Sequence, residues 1–255
     1  MTKFKKILTA AAVLAFWLSL WQISAAIVGN SYLFPDIPKT FAAFLSLLNR
    51  PSFYLALLMS FVRVSLGLII ALVAGCLIAY LSFKFNFIFK LFSPAITVIK
   101  STPVASFIIL LWVILGGNAL TVTIAFLMVM PIIFQNVYDG FYAIDKDLSE
   151  LCDVFGFSYF KRLKLLVIPT LMRYLFPALI SGVGFAWKAE IAAEIIGYTK
   201  NSIGEWINDS KGNYDTAGVF ALTLVVIIFS IILEKITRCV LLKLNSRNSV
   251  NGTQC

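Results

Sequence analysis

Apolar segments long enough to cross a lipid bilayer recur along this chain. They are Ile7–Val28, Tyr54–Leu81, Pro103–Leu115, Leu120–Tyr138, Thr170–Ile196 and Ala217–Ile236. About 20 helical residues span the roughly 30 Å hydrocarbon core of a bilayer. Lipid offers the backbone no hydrogen-bond partners, so such segments fold as helices. The sequence therefore predicts an all-α polytopic membrane protein with about six transmembrane helices, of which the short third segment could extend back to Ile96.

The composition excludes an ordinary soluble domain. Of the 255 residues, 60% are hydrophobic and 13% are charged, about half the charged fraction usual in soluble proteins. The chain has no histidine, and its cysteines form no Cys-x-x-Cys pair, so neither a metal site nor a disulfide framework is expected. The four cysteines are Cys76, Cys152, Cys239 and Cys255.

The N-terminal segment has two possible interpretations. Basic residues precede the apolar run, and Ser24-Ala25-Ala26 resembles a signal-peptide cleavage site. However, Ile7–Val28 is longer than the apolar core of a signal peptide. We therefore expect it to remain as the first transmembrane helix.

The distribution of Lys and Arg predicts the orientation. With the N-terminus in the cytoplasm and six crossings, outer loops hold four of the 21 basic residues (Lys39, Arg50, Lys200 and Lys211), spans hold two (Arg63 and Lys188), and cytoplasmic segments hold the other fifteen. Cytoplasmic loops of membrane proteins carry such an excess. Both termini are therefore predicted to be cytoplasmic.

A helix is predicted in the longest polar interval, residues 139–168, which this orientation places in the cytoplasm. Asp147 is expected to be its N-cap, with Glu150 completing a capping box. Gly156 is expected to end the helix in a left-handed conformation. Ser158 is expected to cap a second helix that runs to Pro169, where the next span begins.

The first of these helices has an apolar face, because Leu148, Leu151, Cys152 and Phe155 recur at helical spacing. A helix this short is marginal in water, so the face needs a surface to bury against. It could pack on the protein's own spans or dock on another subunit. The sequence pattern alone favours neither.

The same loop resembles a known motif. Glu150-Leu-Cys-Asp-Val-Phe-Gly156 with Leu166-Val-Ile-Pro169 resembles the EAA loop of ABC importer permeases, written E-A-A-x-x-x-G, nine residues, then I-x-L-P. The two alanines of that motif are Leu151 and Cys152 here. Further pieces resemble the nitrate/sulfonate/taurine class of these permeases: Ser60-Phe-Val-Arg63 with Gly67 and Gly75, Pro103-Val-Ala105 with Leu111-Trp112, and Ala186-Trp187 with Glu194.

The resemblance implies a type I ABC importer permease fold. Residues 54–238 would form the transmembrane domain, with the EAA loop at 147–169, an N-terminal helix and outer loop at 1–53 and a cytoplasmic tail at 239–255. The loop would form a coupling helix that docks on a cytoplasmic ATPase. The residues implied in ATPase coupling are Asp147, Glu150, Leu151, Cys152, Phe155, Gly156 and Pro169.

The resemblance also implies the partners and the cargo. The chain has no G-x-x-x-x-G-K-[ST] phosphate loop, so it would be no enzyme and bind no cofactor, with ATP and Mg²⁺ on the partner ATPase. A second copy of the chain and an extracytoplasmic binding protein would complete the importer in the bacterial inner membrane. No nucleic acid partner is expected. The cargo would be a small solute, an anion resembling a sulfonate, nitrate or taurine, or a molecule resembling a thiamine precursor, and no residue of the sequence chooses among them.

Four charged residues fall inside predicted spans: Arg63, Lys188, Glu190 and Glu194. Such charges are rare and are candidates for function. Arg63 or Lys188 could attract an anionic substrate in the pathway. Alternatively, Arg63 pairs with Glu190 or Glu194, or these side chains snorkel to the interface. The four charges sum to zero, which favours internal pairing.

Glu190 and Glu194 also support an alternative function. They lie four residues apart on one helix face and could serve a proton-coupled secondary transporter. A membrane enzyme fits poorly, because the chain has no histidine cluster, metal set or nucleophile–base pair.

Overall fold

The computed structural model describes residues 3–251, and that part of the chain contains helices and no strand. The helices are α1 (Lys3–Val28), α2 (Ile37–Leu48), α3 (Pro51–Lys84), α4 (Asn86–Ser101), α5 (Val104–Leu115), α6 (Gly117–Tyr142), α7 (Lys146–Val154), α8 (Tyr159–Arg162), α9 (Ile168–Ile196), α10 (Ile203–Gly212) and α11 (Thr216–Asn251). A π-helical turn, Leu163–Val167, joins α8 to α9.

Five helices of the described region are long and apolar enough to cross a membrane, or up to six if α4 and α5 together form one crossing. These two helices meet at an angle of 107°. The third segment can therefore extend back through Ile96 only as a span that is bent between Ser101 and Val104. Thr102 is extended at ψ 133°, because the ring of Pro103 disfavours a helical conformation in the residue before it.

The helix α3 packs tightly on α6 through small residues. Gly67, Ala71, Gly75 and Ala79 are buried at four-residue spacing, which places them on one face of α3. In lipid, helices associate chiefly through such close packing. At Gly67 the approach is so close that a Cβ atom would lie 2.6 Å from Ala125 Cβ and 2.8 Å from the Val122 carbonyl oxygen.

Gly67→Val should therefore destabilise the fold. We expect a loss of about 1–3 kcal/mol, the usual effect of overpacking, because the backbone of α6 must move away. The loss of stability is measured as the shift in melting temperature in detergent, with size-exclusion chromatography used to monitor the folded fraction after heating. Gly212→Ala is the matched control, since no atom lies within 4 Å of a Cβ there. Equal melting of the two variants would contradict the packing argument.

Trp187 anchors α9 to α11 in the core. Its side chain is fully buried, its Nε1 donates to the Val226 carbonyl oxygen at 3.0 Å, and its ring lies 4.7 Å from that of Phe229.

By contrast, α1 lies at the periphery, and most of its described side chains are exposed. Trp21 nevertheless ties α1 to the rest of the protein by donating from Nε1 to the Pro35 carbonyl oxygen at 3.0 Å.

Candidate functional site: a projecting helix and a buried ion pair

The loop between α6 and α9 contains the predicted helix, α7, but its N-cap is Asp145 rather than Asp147. Asp145 Oδ1 accepts from the backbone N–H groups of Asp147 and Leu148, at 2.9 and 3.3 Å. The predicted capping box is therefore wrong, because the helix begins one residue before Asp147, at Lys146. Asp147 lies in the first turn, where its charge interacts favourably with the helix dipole.

The C-terminal end of α7 follows the prediction. Gly156 has φ +62°, a left-handed conformation that glycine adopts without the steric cost of a Cβ. The Gly156 N–H donates to the Asp153 carbonyl oxygen at 3.1 Å, and the Phe157 N–H donates to that of Cys152 at 2.9 Å. These bonds satisfy carbonyl groups that the end of the helix leaves without partners.

The apolar face of α7 is not covered by the protein's own spans. Leu148, Leu151 and Phe155 are 48%, 49% and 71% exposed, Cys152 is partly buried, and no α7 side chain counts as buried. The first alternative, packing on the chain's own helices, therefore does not occur in the described part of the protein. The face projects as a surface suited to docking another molecule.

Arg162 holds α7 against the base of α9, and the sequence analysis missed this role. Its Nη1 donates to Asp153 Oδ1 at 2.8 Å, and its Nη2 donates to Ser149 Oγ. Arg162 lies in α8, which continues through the π-helical turn into α9. One guanidinium group thus binds two residues of α7 and links this helix to the segment that continues into α9.

The second predicted helix does not end at Pro169. Ser158 is at its N-cap position, but its side chain makes no capping hydrogen bond, and the helical run continues from Tyr159 to Ile196. Pro169 lies in the first turn of α9, where a missing N–H is tolerated. Pro169 and Leu148 line a common cleft of about 490 Å³ with Asp145 and Arg173. Glu150 is exposed on α7.

Arg63 and Glu194 form a buried ion pair between α3 and α9. Arg63 Nη1 lies 3.0 Å from Glu194 Oε1, and both side chains are almost fully buried. Ser60 Oγ donates to the same carboxylate oxygen at 2.6 Å. Of the alternatives for Arg63, internal pairing with Glu194 is therefore the one that the structure contains.

The same pair fixes the connection between α9 and α10. Arg63 donates to the carbonyl oxygens of Lys200 and Asn201, at 3.0 and 3.3 Å. The Gly204 N–H donates to Glu194 Oε2 at 3.1 Å, so the carboxylate lies at the positive N-terminal end of α10. A Cβ at Gly204 would lie 2.4 Å from Glu194 Cβ. The ion pair and its hydrogen bonds thus join α3, α9 and α10.

The two remaining intramembrane charges that the sequence singled out are in contrasting environments. Glu190 is fully buried, and neither of its carboxyl oxygens has a hydrogen-bond partner among the described residues. Lys188 is exposed and takes part in no ion pair within residues 3–251. The sequence analysis missed a further acidic residue, Glu234 of α11, which packs against α9 where Gly184 leaves room for its carboxyl group.

These helices, with a short helix projecting from one loop, define a polytopic helical membrane protein. Residues 67–244 match the family described as binding-protein-dependent transport system inner membrane component. The chain belongs to this family and is a multi-pass inner-membrane permease subunit of an ABC importer. Its family works with ATPase and binding-protein partners.

Two curated proteins resemble the chain over most of their length. The nitrate import permease protein NrtB of Synechococcus elongatus is 28% identical over 218 residues, which cover 82% of this chain and 78% of that protein. The formylaminopyrimidine transport permease protein ThiX of Halalkalibacterium halodurans is 25% identical over 217 residues, or 79% and 80% of the two chains. Neither resemblance supports proton-coupled secondary transport through Glu190 and Glu194.

Proposed function

We propose that α7 is the coupling helix through which this permease binds and follows a cytoplasmic ATPase. The observation that carries the proposal is the exposed apolar face of Leu148, Leu151 and Phe155. Exposed apolar side chains on so short a helix are stabilised when a groove covers them. Cys152 belongs to the same face and Glu150 lies on the opposite side of the helix, while Gly156 and Pro169 direct the chain into and out of the segment.

The ATPase would bind ATP and Mg²⁺, and the permease would contribute motion alone. Closure of the ATPases would displace α7, and Arg162 would transmit that displacement to α9. The transmembrane domain that moves corresponds to residues 54–238, preceded by the helix and outer loop of residues 1–53 and followed by the cytoplasmic tail of residues 239–255. Residues 252–255 of this tail lie outside the described part of the chain.

The orientation follows from the excess of basic residues in one set of segments. It places α7 and both termini in the cytoplasm, with α10 and the Arg63–Glu194 pair toward the outer face. A topology map that finds Glu150 outside the cytoplasm would contradict this orientation.

In the proposed importer, a solute-binding protein would deliver cargo to the outer face, and two copies of the chain would enclose one pathway. The cargo class is a small anion, in keeping with the named nitrate permease relative.

The test is co-purification of the ATPase with the detergent-solubilised permease from its native membrane. Phe155→Ser should weaken this association by roughly 10- to 100-fold, since burying a phenylalanine contributes about 1.5–3 kcal/mol. Quantitative immunoblotting of the eluted ATPase gives the measurement.

Val154→Ser is the matched control for this experiment. Val154 is 80% exposed on the same helix, but the helical spacing places it away from the apolar face. This variant should retain the ATPase to within about twofold, because exposed substitutions away from an interface have little effect. If wild-type permease retains no ATPase, or if both variants lose it equally, the proposal for α7 is wrong.

A further inference from the structure

One strip of α9 differs from a lipid-facing surface. Tyr174, Pro177, Ser181, Phe185 and Lys188 are spaced three or four residues apart, so they lie along one side of the helix. Ser181, Phe185 and Lys188 are exposed, and Tyr174 is partly so. Among the described helices that could cross the membrane, α1 offers the comparison, because its long exposed run from Ile7 to Val28 holds no charged residue.

Lys188 lies about two turns inside α9 rather than at its end. It lies eight residues below the end of α9 at Ile196, which is about 12 Å at 1.5 Å per residue. A cation at this depth facing lipid is strongly unfavourable, and such residues normally face a partner or a water-filled cavity. Lys188 has no ion-pair partner within the described residues.

The other intramembrane cation is not available for the same role. Arg63 is buried, and its guanidinium group already binds Glu194 and two backbone carbonyl groups. Lys188 is consequently the intramembrane cation whose charge is exposed and not neutralised in the described structure. Glu234, beside Gly184 one turn further in, borders the strip but forms no ion pair with it.

We infer that this α9 strip lines the aqueous translocation pathway and that Lys188 is the residue that makes the pathway selective for anions. This proposal rests on the transport function proposed above. It assigns the α9 strip to the wall of the permease pathway and gives Lys188 the role of attracting an anionic cargo. A fixed positive charge in a narrow, water-filled passage raises the local concentration of anions and excludes cations. Ser181 and Phe185, further in along the strip, face the same passage.

The test uses charged thiol reagents, so it needs no knowledge of the natural cargo. The four native cysteines are replaced by alanine, Ser181→Cys is introduced, and the assembled transporter is labelled in membrane vesicles of both orientations. The probes are the anionic sulfonatoethyl and cationic trimethylammonioethyl methanethiosulfonates. Ser181→Cys should react with both and should favour the anionic probe.

Lys188→Gln should then lower the ratio of anionic to cationic labelling rates by about fourfold or more. Lys188 and position 181 are seven residues, or about 10 Å, apart along the helix. The charges of the two probes differ by two units. By Coulomb's law in water, a unit charge at this distance changes the ratio of their labelling rates by about fourfold. Lys188→Arg should preserve the ratio, because it keeps the charge.

Two controls distinguish the pathway from other environments. Val13→Cys, exposed on α1, should resist both charged probes because it faces lipid, and Ala189→Cys, buried beside Lys188, should resist them because it is covered. An unreactive Ser181→Cys, or a labelling ratio unaffected by Lys188→Gln, would overturn the inference. Co-purification of the ATPase is scored in the same preparations, so failure of the coupling proposal is recognised separately from failure of the pathway assignment.

Discussion

Arg63→Ala should lower the free energy of unfolding by about 3–5 kcal/mol, the usual result of removing one partner of a buried ion pair. The change leaves the Glu194 carboxylate fully buried beside Ser60 without its counter-charge. It also removes the donors to the carbonyl oxygens of Lys200 and Asn201. We expect faster proteolysis of the α9–α10 connection as well as a lower thermal midpoint in detergent.

Removing both charges should do less damage than removing one. In the double variant Arg63→Met with Glu194→Met, no charge remains buried without a partner, and replacing a buried pair by apolar residues is often close to neutral. The double variant should therefore be more stable than Arg63→Ala alone, even though it still lacks the hydrogen bonds to Lys200 and Gly204.

The exposed pair of Lys39 and Asp36 provides the matched control. Their side chains are 57% and 31% exposed and lie 3.7 Å apart, so Lys39→Ala should change stability by no more than about 1 kcal/mol. If Arg63→Ala destabilised the protein as little as Lys39→Ala does, the Arg63–Glu194 pair would not anchor the outer connection.

The second large effect is expected at the end of α7. Gly156→Pro should abolish ATPase association, with a loss of roughly 100-fold or more. Proline fixes φ near −65°, whereas Gly156 has φ +62°, and proline removes the N–H that donates to Asp153. A misplaced proline costs about 3 kcal/mol or more, and here the misdirected chain carries Phe155 and Arg162 away from their positions. Co-purification of the ATPase measures the loss.

Gly29→Pro separates this effect from backbone strain in general. Gly29 also has φ +62°, and its N–H donates to the Ala25 carbonyl oxygen at 3.0 Å, but it lies at the other end of the spans. The proline there should destabilise its own turn and leave ATPase association intact in the protein that remains folded. Equal loss of ATPase from both variants would show that strain, rather than the geometry of α7, is responsible.

Much of the fold is predictable because the membrane imposes strong local constraints. The segments Ile7–Val28 and Thr170–Ile196 correspond closely to helices of the structure, since lipid permits few other backbone conformations. The bend between α4 and α5 was harder to predict. Pro103 disfavours a helical Thr102 locally, but the angle of 107° depends on how α4 packs on α3 and α6 and how α5 packs on α6 and α9.

The candidate site shows the same division. The position of α7 and the conformation of Gly156 follow from short-range rules for how helices end. The cap residue was misplaced by two positions, because Asp145 and Asp147 are chemically equivalent and only the path of the chain after α6 chooses between them. The brace from Arg162 had no sequence signal, since its partners Ser149 and Asp153 lie 13 and 9 residues away and contact it only in the folded loop.

The sequence by itself determined the class of the protein, because apolar length, basic-residue bias and the loop motif are properties of short stretches of chain. Only the tertiary structure decided which intramembrane charged residues form an ion pair and which are buried or exposed. It paired Arg63 with Glu194, 131 residues away, buried Glu190 and left Lys188 exposed on α9. The energy of an intramembrane charge depends on what surrounds it, and those surroundings come from helices that are distant in sequence.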